Sequence, residues 1–415
     1  MDTVVAAPRA LLGHSITGPA SVRIREGRVV EVVAGDPPPG AQVCGGGLLT
    51  PGLVDLQVNG AVGVDFADVD AAGMRRVVDA LPRTGVTRFV PTLITAPVAV
   101  ILRQAGAVLA AAAALPESGG ARPLGLHLEG PFLSPQRAGV HDPALMDEPG
   151  RAQIDALLGD DLVRHALRLV TLAPERPGAL EAVRRLTEAG VLVSVGHSDA
   201  TGEQTRAAAD AGAAMVTHLF NAQRPLGHRE PGVPGVALVD ERFTLGLIAD
   251  LAHVGPDVVR LVFAAAASRV ALVTDAMAAA GMPPGRYRLG GADVLLAEDG
   301  VPRSPEGVIA GSALTLDRAV RNVVSLGVDP ARALAAATIV PADAIGEPTL
   351  GRLAPGAVGD LVWWDDDLRP RRVWVDGEVV FDAATATAAD VFDADGEVVF
   401  DGAAGVSSYA TATPA

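Results

Sequence analysis

Eight β-rich apolar runs alternate with helical stretches rich in alanine and leucine, and this alternation restricts the fold strongly. The runs cover residues 52–60, 87–94, 123–132, 167–175, 192–197, 214–220, 244–254 and 269–276. Apolar strands that alternate with helices predict a parallel sheet built from βαβ units. Eight such units favour an α/β fold of the closed (β/α)8 type, a TIM-like barrel. Periodicity alone also permits an open, doubly wound sheet.

The two ends of the chain have a different pattern. The first 50 residues and residues 360–381 contain short strands separated by turns, so we expect the two segments to pair as one small β-sandwich domain. The predicted organisation is an N-terminal β-sandwich segment at 1–50, a hydrolase barrel at 51–350, a C-terminal β-sandwich segment at 351–402, and a flexible tail at 403–415. The sequence DGEVVFD occurs at 376–382 and again at 395–401. This duplication is interpreted as an added hairpin or a drifted repeat, without an assigned function.

Charge and composition exclude several classes of protein. The formal net charge of −16 argues against nucleic acid or an anionic membrane as a partner, since both bind basic surfaces. No apolar run reaches the roughly 18 residues of a membrane span, and the N-terminus lacks a basic segment followed by an apolar run. Cys44 is the single cysteine and cannot form an internal disulfide. We therefore expect a cytoplasmic protein. All 33 basic residues are arginine, so a lysine-bridged two-metal centre is excluded.

Candidate metal ligands and acid–base groups follow the predicted strands at their C-terminal ends, where a barrel builds its active site. Glu129 lies near the end of the third run, His197 ends the fifth, and His218 and Asp275 lie near the ends of the sixth and the eighth. One carboxylate and two imidazoles leave a divalent ion with an open position for a water molecule, which suits hydrolysis. Asp275 could accept the proton of that water and return it to a leaving amine.

Each of these residues also has a purely structural interpretation. His197 and His218 could be packed core residues, Glu129 could cap a helix, and Asp275 could be a turn residue. His127 shares a strand face with Glu129, because side chains two residues apart point to the same side. His127 could contact a metal ligand without binding the ion itself, or it could be a packed residue of the barrel interior.

The same segments resemble the N-acetylglucosamine-6-phosphate deacetylase family of the amidohydrolase superfamily. The resemblance covers roughly residues 49–360 and rests on several motifs in the expected order. These motifs are PGLVDLQVNG at 51–60, HLEGPF at 127–132, GHSDA at 196–200, THLFNA at 217–222, LVTDA at 272–276 and IAGSALT at 309–315.

The resemblance implies a function and a set of site residues. It implies hydrolysis of N-acetyl-D-glucosamine 6-phosphate to D-glucosamine 6-phosphate and acetate, within amino sugar metabolism. One divalent ion, expected to be zinc, with iron or another divalent ion as alternatives, is bound by Glu129, His197 and His218. Asp275 is the catalytic acid–base residue, and His141 helps to polarise the acetamide carbonyl. The implied substrate-binding residues are Asn221, Ala222, Arg229, His253 and Ile309.

Two alternatives to this function stay open. The substrate could be a related N-acyl amino sugar such as N-acetylgalactosamine 6-phosphate, or the barrel could be a non-catalytic binding protein. The family supplies the counterpart of Arg229 across a dimer interface, so the resemblance also implies a homodimer. The role of His228, just before this arginine, is not assigned.

The first barrel strand departs from the pattern of many amidohydrolases. Their two metal-binding histidines, separated by one residue, are replaced here by Gln57 and Asn59. Neutral amides are poor ligands for transition metals. Members of the family with this Gln-x-Asn strand use one metal, and we therefore predict a single ion.

Overall fold

The computed structural model describes residues 2–386. The N-terminal segment contains strands β1 (Thr3–Ala7), β2 (Ala10–Leu12), β3 (Ser15–Thr17), β4 (Ala20–Arg25), β5 (Arg28–Ala34), β6 (Gln42–Val43) and β7 (Leu48–Pro51). The central region contains β8 (Leu53–Val58), β9 (Gly60–Ala61), β10 (Val64–Asp65), β11 (Val86–Ile94), β12 (Arg122–Pro123), β13 (Leu126–Glu129), β14 (Leu167–Leu172), β15 (Leu192–Val195), β16 (Met215–Val216), β17 (Thr244–Leu247) and β18 (Val270–Leu272). They are followed by β19 (Gly285–Leu289), β20 (Ala292–Leu296), β21 (Pro302–Arg303), β22 (Leu361–Trp364), β23 (Pro370–Val375) and β24 (Glu378–Asp382).

Helices connect the central strands. They are α1 (Ala71–Ala80), α2 (Val98–Ala113), α3 (Arg151–Gly159), α4 (Asp161–Ala166), α5 (Ala179–Glu188), α6 (Gly202–Ala211), α7 (Gly232–Val239), α8 (Pro256–Ala266), α9 (Leu316–Ser325), α10 (Pro330–Ala335) and α11 (Ile339–Ala344). In α5 the buried residues Ala179, Ala182, Val183 and Leu186 recur at helical spacing and form the face that packs inward. None of the helices within residues 2–386 is both long and apolar enough to cross a bilayer.

The predicted barrel is confirmed. Strands β8, β11, β13, β14, β15, β16, β17 and β18 pair with one another in this order, all in parallel. A parallel bridge between Val58 and Ala276 joins the first strand to the residues just after the last one. The bridge closes the ring and rules out the open sheet. The eight strands correspond to the eight predicted runs, although most runs extend a few residues past the end of the strand.

Strands from both ends of the chain form a separate β layer. One sheet has the order β24-β23-β22-β7-β2-β3, in which β7 of the N-terminal segment pairs with β22 of the C-terminal segment. A second sheet has the order β5-β4-β1-β6, and residues such as Val22, Leu361 and Trp374 pack between the two sheets. Boundaries at 1–50, 51–350 and 351–402 are our proposed division of the chain. The second DGEVVFD copy and the tail at 403–415 lie outside the described residues.

A buried ion cluster connects the barrel to the β layer. Arg88, on β11, donates from Nε to Asp360 Oδ2 at 2.6 Å and from Nη2 to Asp360 Oδ1 at 3.0 Å. The side chains of Arg88 and Asp360 are only 11% and 5% exposed. Asp376 is a further partner of Arg88. A charge pair with this geometry is costly to break, because the remaining ion stays buried without a partner.

Replacing Arg88 with methionine should lower the free energy of unfolding by about 3–5 kcal/mol, because Asp360 then loses its buried partner. Urea denaturation followed by circular dichroism measures this change. The matched control is Arg75→Met, which removes an exposed pair with Asp79, 45% and 47% exposed, and should cost less than about 1 kcal/mol. Equal effects of the two substitutions would contradict the structural role of the cluster.

Candidate active site

A cavity of about 350 Å³ lies at the C-terminal ends of the barrel strands. All the candidate site residues except one line it, namely Glu129, His141, His197, His218, Asn221, Ala222, His253, Asp275 and Ile309. The exception is Arg229, which is exposed at the surface and does not line the cavity of its own chain. His228 is exposed as well. Residues that are far apart in sequence therefore converge on one site.

Three candidate metal ligands meet at the centre of this cavity. His197 Nε2 lies 3.2 Å from Glu129 Oε1, His218 Nε2 lies 2.9 Å from the same oxygen, and the two nitrogens are 3.1 Å apart. Ligand atoms about 2.0–2.1 Å from a shared tetrahedral zinc ion are roughly 3.3 Å apart, so the observed spacing fits one ion. The donor set, one carboxylate and two imidazoles, also fits a divalent transition metal.

His141 is a fourth candidate ligand. One donor atom each from Glu129, His141 and His197 also lie within 4.8 Å of one another. However, His141 Nε2 is 4.0 Å from Glu129 Oε2, farther than His218 Nε2 is from Oε1. His141 Nδ1 is 2.7 Å from the Thr95 hydroxyl, and burial, followed by the nearby His197, lowers the pKa of His141 to about 3. The single hydrogen of the Thr95 hydroxyl can go to His141 Nδ1 or to the Glu129 carbonyl, which lies 3.3 Å away. The neutral tautomer of His141 that can donate to a carbonyl oxygen has its proton on Nε2 and accepts from Thr95 at Nδ1.

The ring of His197 is fixed by the loop that precedes His141. His197 Nδ1 lies 2.9 Å from the backbone carbonyl of Arg137, which only accepts hydrogen bonds. Nδ1 therefore carries the proton, and Nε2 points its lone pair at Glu129. Such a partner on the second ring nitrogen is typical of metal-binding histidines. Burial opposes ionisation of Glu129, but the neighbouring imidazoles of His197 and His218 hold its pKa well below the usual range.

Several site residues adopt a left-handed backbone just beyond their strands. The φ angles are +45° for His197, +27° for His218, +49° for Ala222 and +51° for Asp275. This region is unfavourable for residues with a Cβ atom and is found where function requires a particular side-chain direction. It explains why most of the predicted runs were too long, since the backbone leaves the strand where the functional side chain turns into the cavity.

Gln57 and Asn59 hold the two carboxylates of the site. Asn59 Nδ2 donates to Asp275 Oδ1 at 2.7 Å, and Gln57 Nε2 lies 3.0 Å from Asp275 Oδ1 and 3.1 Å from Glu129 Oε1. Burial, followed by the charge of Glu129, raises the pKa of Asp275 to about 6. The sequence indicated only that these amides are poor metal ligands. Their role as hydrogen-bond donors to Asp275 and Glu129 depends on how the strands meet.

A buried carboxylate below the cavity supports Asp275. Asp55 Oδ2 accepts from the Thr274 hydroxyl at 2.6 Å, and burial raises the pKa of Asp55 to about 7. Ser312 Oγ donates to the Thr274 carbonyl at 2.6 Å. These bonds fix the residue just before Asp275. Asp55 occurs in the first-strand motif but was not singled out from the sequence.

His127 does not line the cavity. Its Nδ1 is 3.2 Å from the Thr92 hydroxyl and its Nε2 is 2.8 Å from the Thr171 hydroxyl, inside the barrel. Both ring nitrogens are thus occupied by hydroxyls of the neighbouring strands β11 and β14. The geometry supports the interpretation of His127 as a packed barrel residue.

The cavity has a polar side, which includes His253, and an apolar side, which includes Ile309. His253 Nδ1 lies 2.6 Å from Asp250 Oδ2, which leaves Nε2 for a ligand. The apolar residues Ile94, Leu289 and Val308 line the cavity together with Ile309. Gln136 and Arg137 also line the cavity and were missed by the sequence analysis. Their position between the Glu129 and His141 motifs was the available signal.

Comparisons with known proteins show which family this chain resembles. The model of the amidohydrolase family matches residues 48–380. N-acetylgalactosamine-6-phosphate deacetylase from Escherichia coli O157:H7 is 43% identical over 80% of this chain and 87% of that protein. Human N-acetylglucosamine-6-phosphate deacetylase is 37% identical over 83% of this chain and 86% of its own length.

A solved structure gives a similar result. A mutant of N-acetyl-D-glucosamine-6-phosphate deacetylase from Mycobacterium smegmatis, in complex with N-acetyl-D-glucosamine-6-phosphate, is 39% identical. It superposes with a TM-score of 0.84 and covers 91% of this chain and 99% of that chain. The resemblance inferred from the motifs is thereby confirmed. The chain belongs to the N-acetylglucosamine-6-phosphate deacetylase family of the amidohydrolases.

Proposed function

We propose that the protein hydrolyses the acetamide of N-acetyl-D-glucosamine 6-phosphate, giving D-glucosamine 6-phosphate and acetate. The observation that carries this proposal is the meeting of Glu129, His197 and His218 beside Asp275 in one cavity. Those three side chains are the proposed ligands of a single divalent ion, with zinc first and iron as the alternative. When bound there, the ion supplies an acidic water molecule and polarises a carbonyl.

Asp275 is the proposed proton carrier of the reaction. Two amide donors hold its Oδ1, so Oδ2 is the oxygen left to take the proton of the attacking water. A C–O bond to the acetyl carbon forms, and the C–N bond of the amide breaks. Asp275 then returns the proton to the departing sugar nitrogen, which leaves as an amine.

The remaining site residues have proposed roles in binding the substrate. His141 Nε2 donates to the acetamide carbonyl as negative charge develops on its oxygen. Asn221, Ala222 and His253 contact the phosphorylated sugar, and Ile309 packs against the acetyl methyl group. Arg229 is proposed to reach the site of a second copy, which requires a homodimer. The proposed location is the cytoplasm, which agrees with a single unpaired cysteine.

The specificity constant kcat/KM should fall as the pH decreases through about 6. Asp275 accepts a proton only as a carboxylate, and burial together with Glu129 raises its pKa to about 6. The measurement is kcat/KM from about pH 4.5 to 8, with circular dichroism at each pH to separate lost activity from unfolding. A constant kcat/KM over this range would contradict the role of Asp275.

Acetate release tests the proposed function directly. The kcat/KM for N-acetylglucosamine 6-phosphate should exceed that for N-acetylglucosamine by at least about 100-fold, since charge-assisted hydrogen bonds to a phosphate are strong. Equal rates would remove the case for a phosphorylated substrate. A protein that binds no metal ion and releases no acetate would revive the alternative of a non-catalytic binding protein.

A second candidate substrate is N-acetylgalactosamine 6-phosphate. The observation in its favour is the 43% identity with the Escherichia coli deacetylase named for that sugar. Specificity constants for the two epimers decide between them, because one reversed hydroxyl costs several kcal/mol where the site hydrogen-bonds it. A higher value for the galacto sugar would replace the substrate proposed above.

A further inference from the structure

The cavity contains one permanently positive side chain. Among the described residues that line it, Arg137 is the only arginine, and the chain has no lysine. The carboxylates of Glu129 and Asp275 face the same space. With a net charge of −16, the protein as a whole repels anions, so an anionic ligand needs a cation close to where it binds.

Arg137 is held in place at both its backbone and its side chain. Its carbonyl accepts from His197 Nδ1, as described above. Its Nε and Nη2 each lie 2.8 Å from Asp199 Oδ1. Within residues 2–386, Nη1 has no hydrogen-bond or ion-pair partner, and the side chain is 31% exposed. Asp199 therefore holds one edge of the guanidinium, and the N–H groups of Nη1 on the other edge are left to donate.

The anchor of Arg137 lies beside Ala222. Ser198, the residue before Asp199, donates its N–H to the Ala222 carbonyl at 3.0 Å. Ala222 lines the cavity with φ at +49°, and within the described part of the chain its own N–H has no hydrogen-bond partner. Arg137 and Ala222 thus both line the cavity, one with an unpartnered guanidinium edge and the other with an unpartnered backbone N–H. Phosphate oxygens accept hydrogen bonds from both kinds of donor.

The two carboxylates near Arg137 are shared with a second arginine. Asp199 also pairs with Arg224, which does not line the cavity. Glu175 accepts from the Ser198 hydroxyl at 2.7 Å and from the Asp199 N–H at 2.6 Å. Arg137 and Arg224 together therefore balance the two carboxylates. An incoming dianion can bind Nη1 of Arg137 without displacing Asp199.

We infer that Arg137 is a phosphate-binding residue supplied by the same chain that supplies the metal ligands. This inference rests on the proposed function, because it assigns a partner to the phosphate of that substrate. It differs from the role proposed for Arg229, which reaches the site only from a second copy. Arg137 contributes to recognition of the substrate and not to the bond-breaking step.

Steady-state kinetics of Arg137→Gln test the inference. The KM for N-acetylglucosamine 6-phosphate should rise by about 10- to 100-fold, the loss expected for one charge-assisted hydrogen bond. The kcat/KM for unphosphorylated N-acetylglucosamine and the metal content should stay within about 2-fold. The inhibition constant of inorganic phosphate should rise with the KM. The matched control, Arg224→Gln, removes the other arginine on Asp199 and should change the KM by less than about 3-fold.

Three results would overturn the inference. Unchanged KM and phosphate inhibition in Arg137→Gln would show that the side chain does not bind the phosphate. Equal losses on both sugars, together with lost metal, would show that Arg137 only positions His197. A wild-type protein that releases no acetate from the phosphorylated sugar would reject the proposed function as well, whereas the first two results leave that function intact.

Discussion

Replacing Asp275 with asparagine should lower kcat by about 10²- to 10⁴-fold, the usual contribution of a positioned proton carrier. Asparagine has the same shape and its Oδ1 still accepts from Gln57 and Asn59, so the cavity keeps its structure. It cannot take up the proton of the attacking water. Steady-state acetate release measures kcat, and elemental analysis should find an unchanged metal content.

A buried carboxylate outside the cavity provides the control for this substitution. Asp317, on α9, is fully buried and pairs with Arg321, but it does not line the cavity. Asp317→Asn should alter stability and leave kcat within about 3-fold, because its carboxylate takes no role in proton transfer. If Asp275→Asn retained wild-type turnover, another group would have to move the proton.

The substitution Glu129→Gln should weaken metal binding by more than about 100-fold and lower acetate release in parallel. Groups that only support a ligand already contribute about 10- to 100-fold to metal affinity, so a direct ligand should contribute more. The two imidazole ligands are neutral, so Glu129 is the negatively charged ligand of the three. A neutral amide at this position does not supply that charge. Metal titration by isothermal calorimetry, followed by elemental analysis, measures the change.

The control for Glu129→Gln is the same chemical change at the surface. Glu148 is 57% exposed and 4.0 Å from Arg176, so Glu148→Gln should leave metal affinity and turnover unchanged. Wild-type metal affinity in Glu129→Gln would show that the ion lies elsewhere, with His141 and His197 as the first residues to examine.

The barrel and the grouping of its candidate metal ligands could be predicted because both leave local signals. Alternating strands and helices identify a parallel sheet, and the carboxyl ends of its strands meet at one face. Glu129, His197 and His218 could therefore be grouped from the sequence alone. Closure of the ring could not be read from periodicity, since it depends on the bridge between Val58 and Ala276.

Contacts between distant segments account for what the sequence did not reveal. The hydrogen bonds of Gln57 to Glu129 and Asp275 depend on the arrangement of three strands. Arg137 enters the cavity because its loop folds back onto His197. Neither arrangement has a periodic or spacing signal. The ends of the strands were misjudged because left-handed residues such as His197 follow an apolar run.

His127 illustrates the limit of face assignment within a strand. Its spacing from Glu129 correctly puts both on the inner side of the barrel, but a barrel interior has several layers. Only the three-dimensional structure places His127 in the layer of Thr92 and Thr171, below the cavity. The alternation along a strand shows which face of the sheet a side chain points to. It does not show in which layer of the barrel interior that side chain lies.

The most direct test is a crystal structure of the metal-loaded protein with anomalous diffraction data collected at the absorption edge of the bound metal. One anomalous peak per chain should appear about 2.0–2.2 Å from Glu129, His197 Nε2 and His218 Nε2, with Asp275 beside it and outside the ligand set. A peak away from these three side chains, or a second peak at Gln57 and Asn59, would contradict the single-ion site.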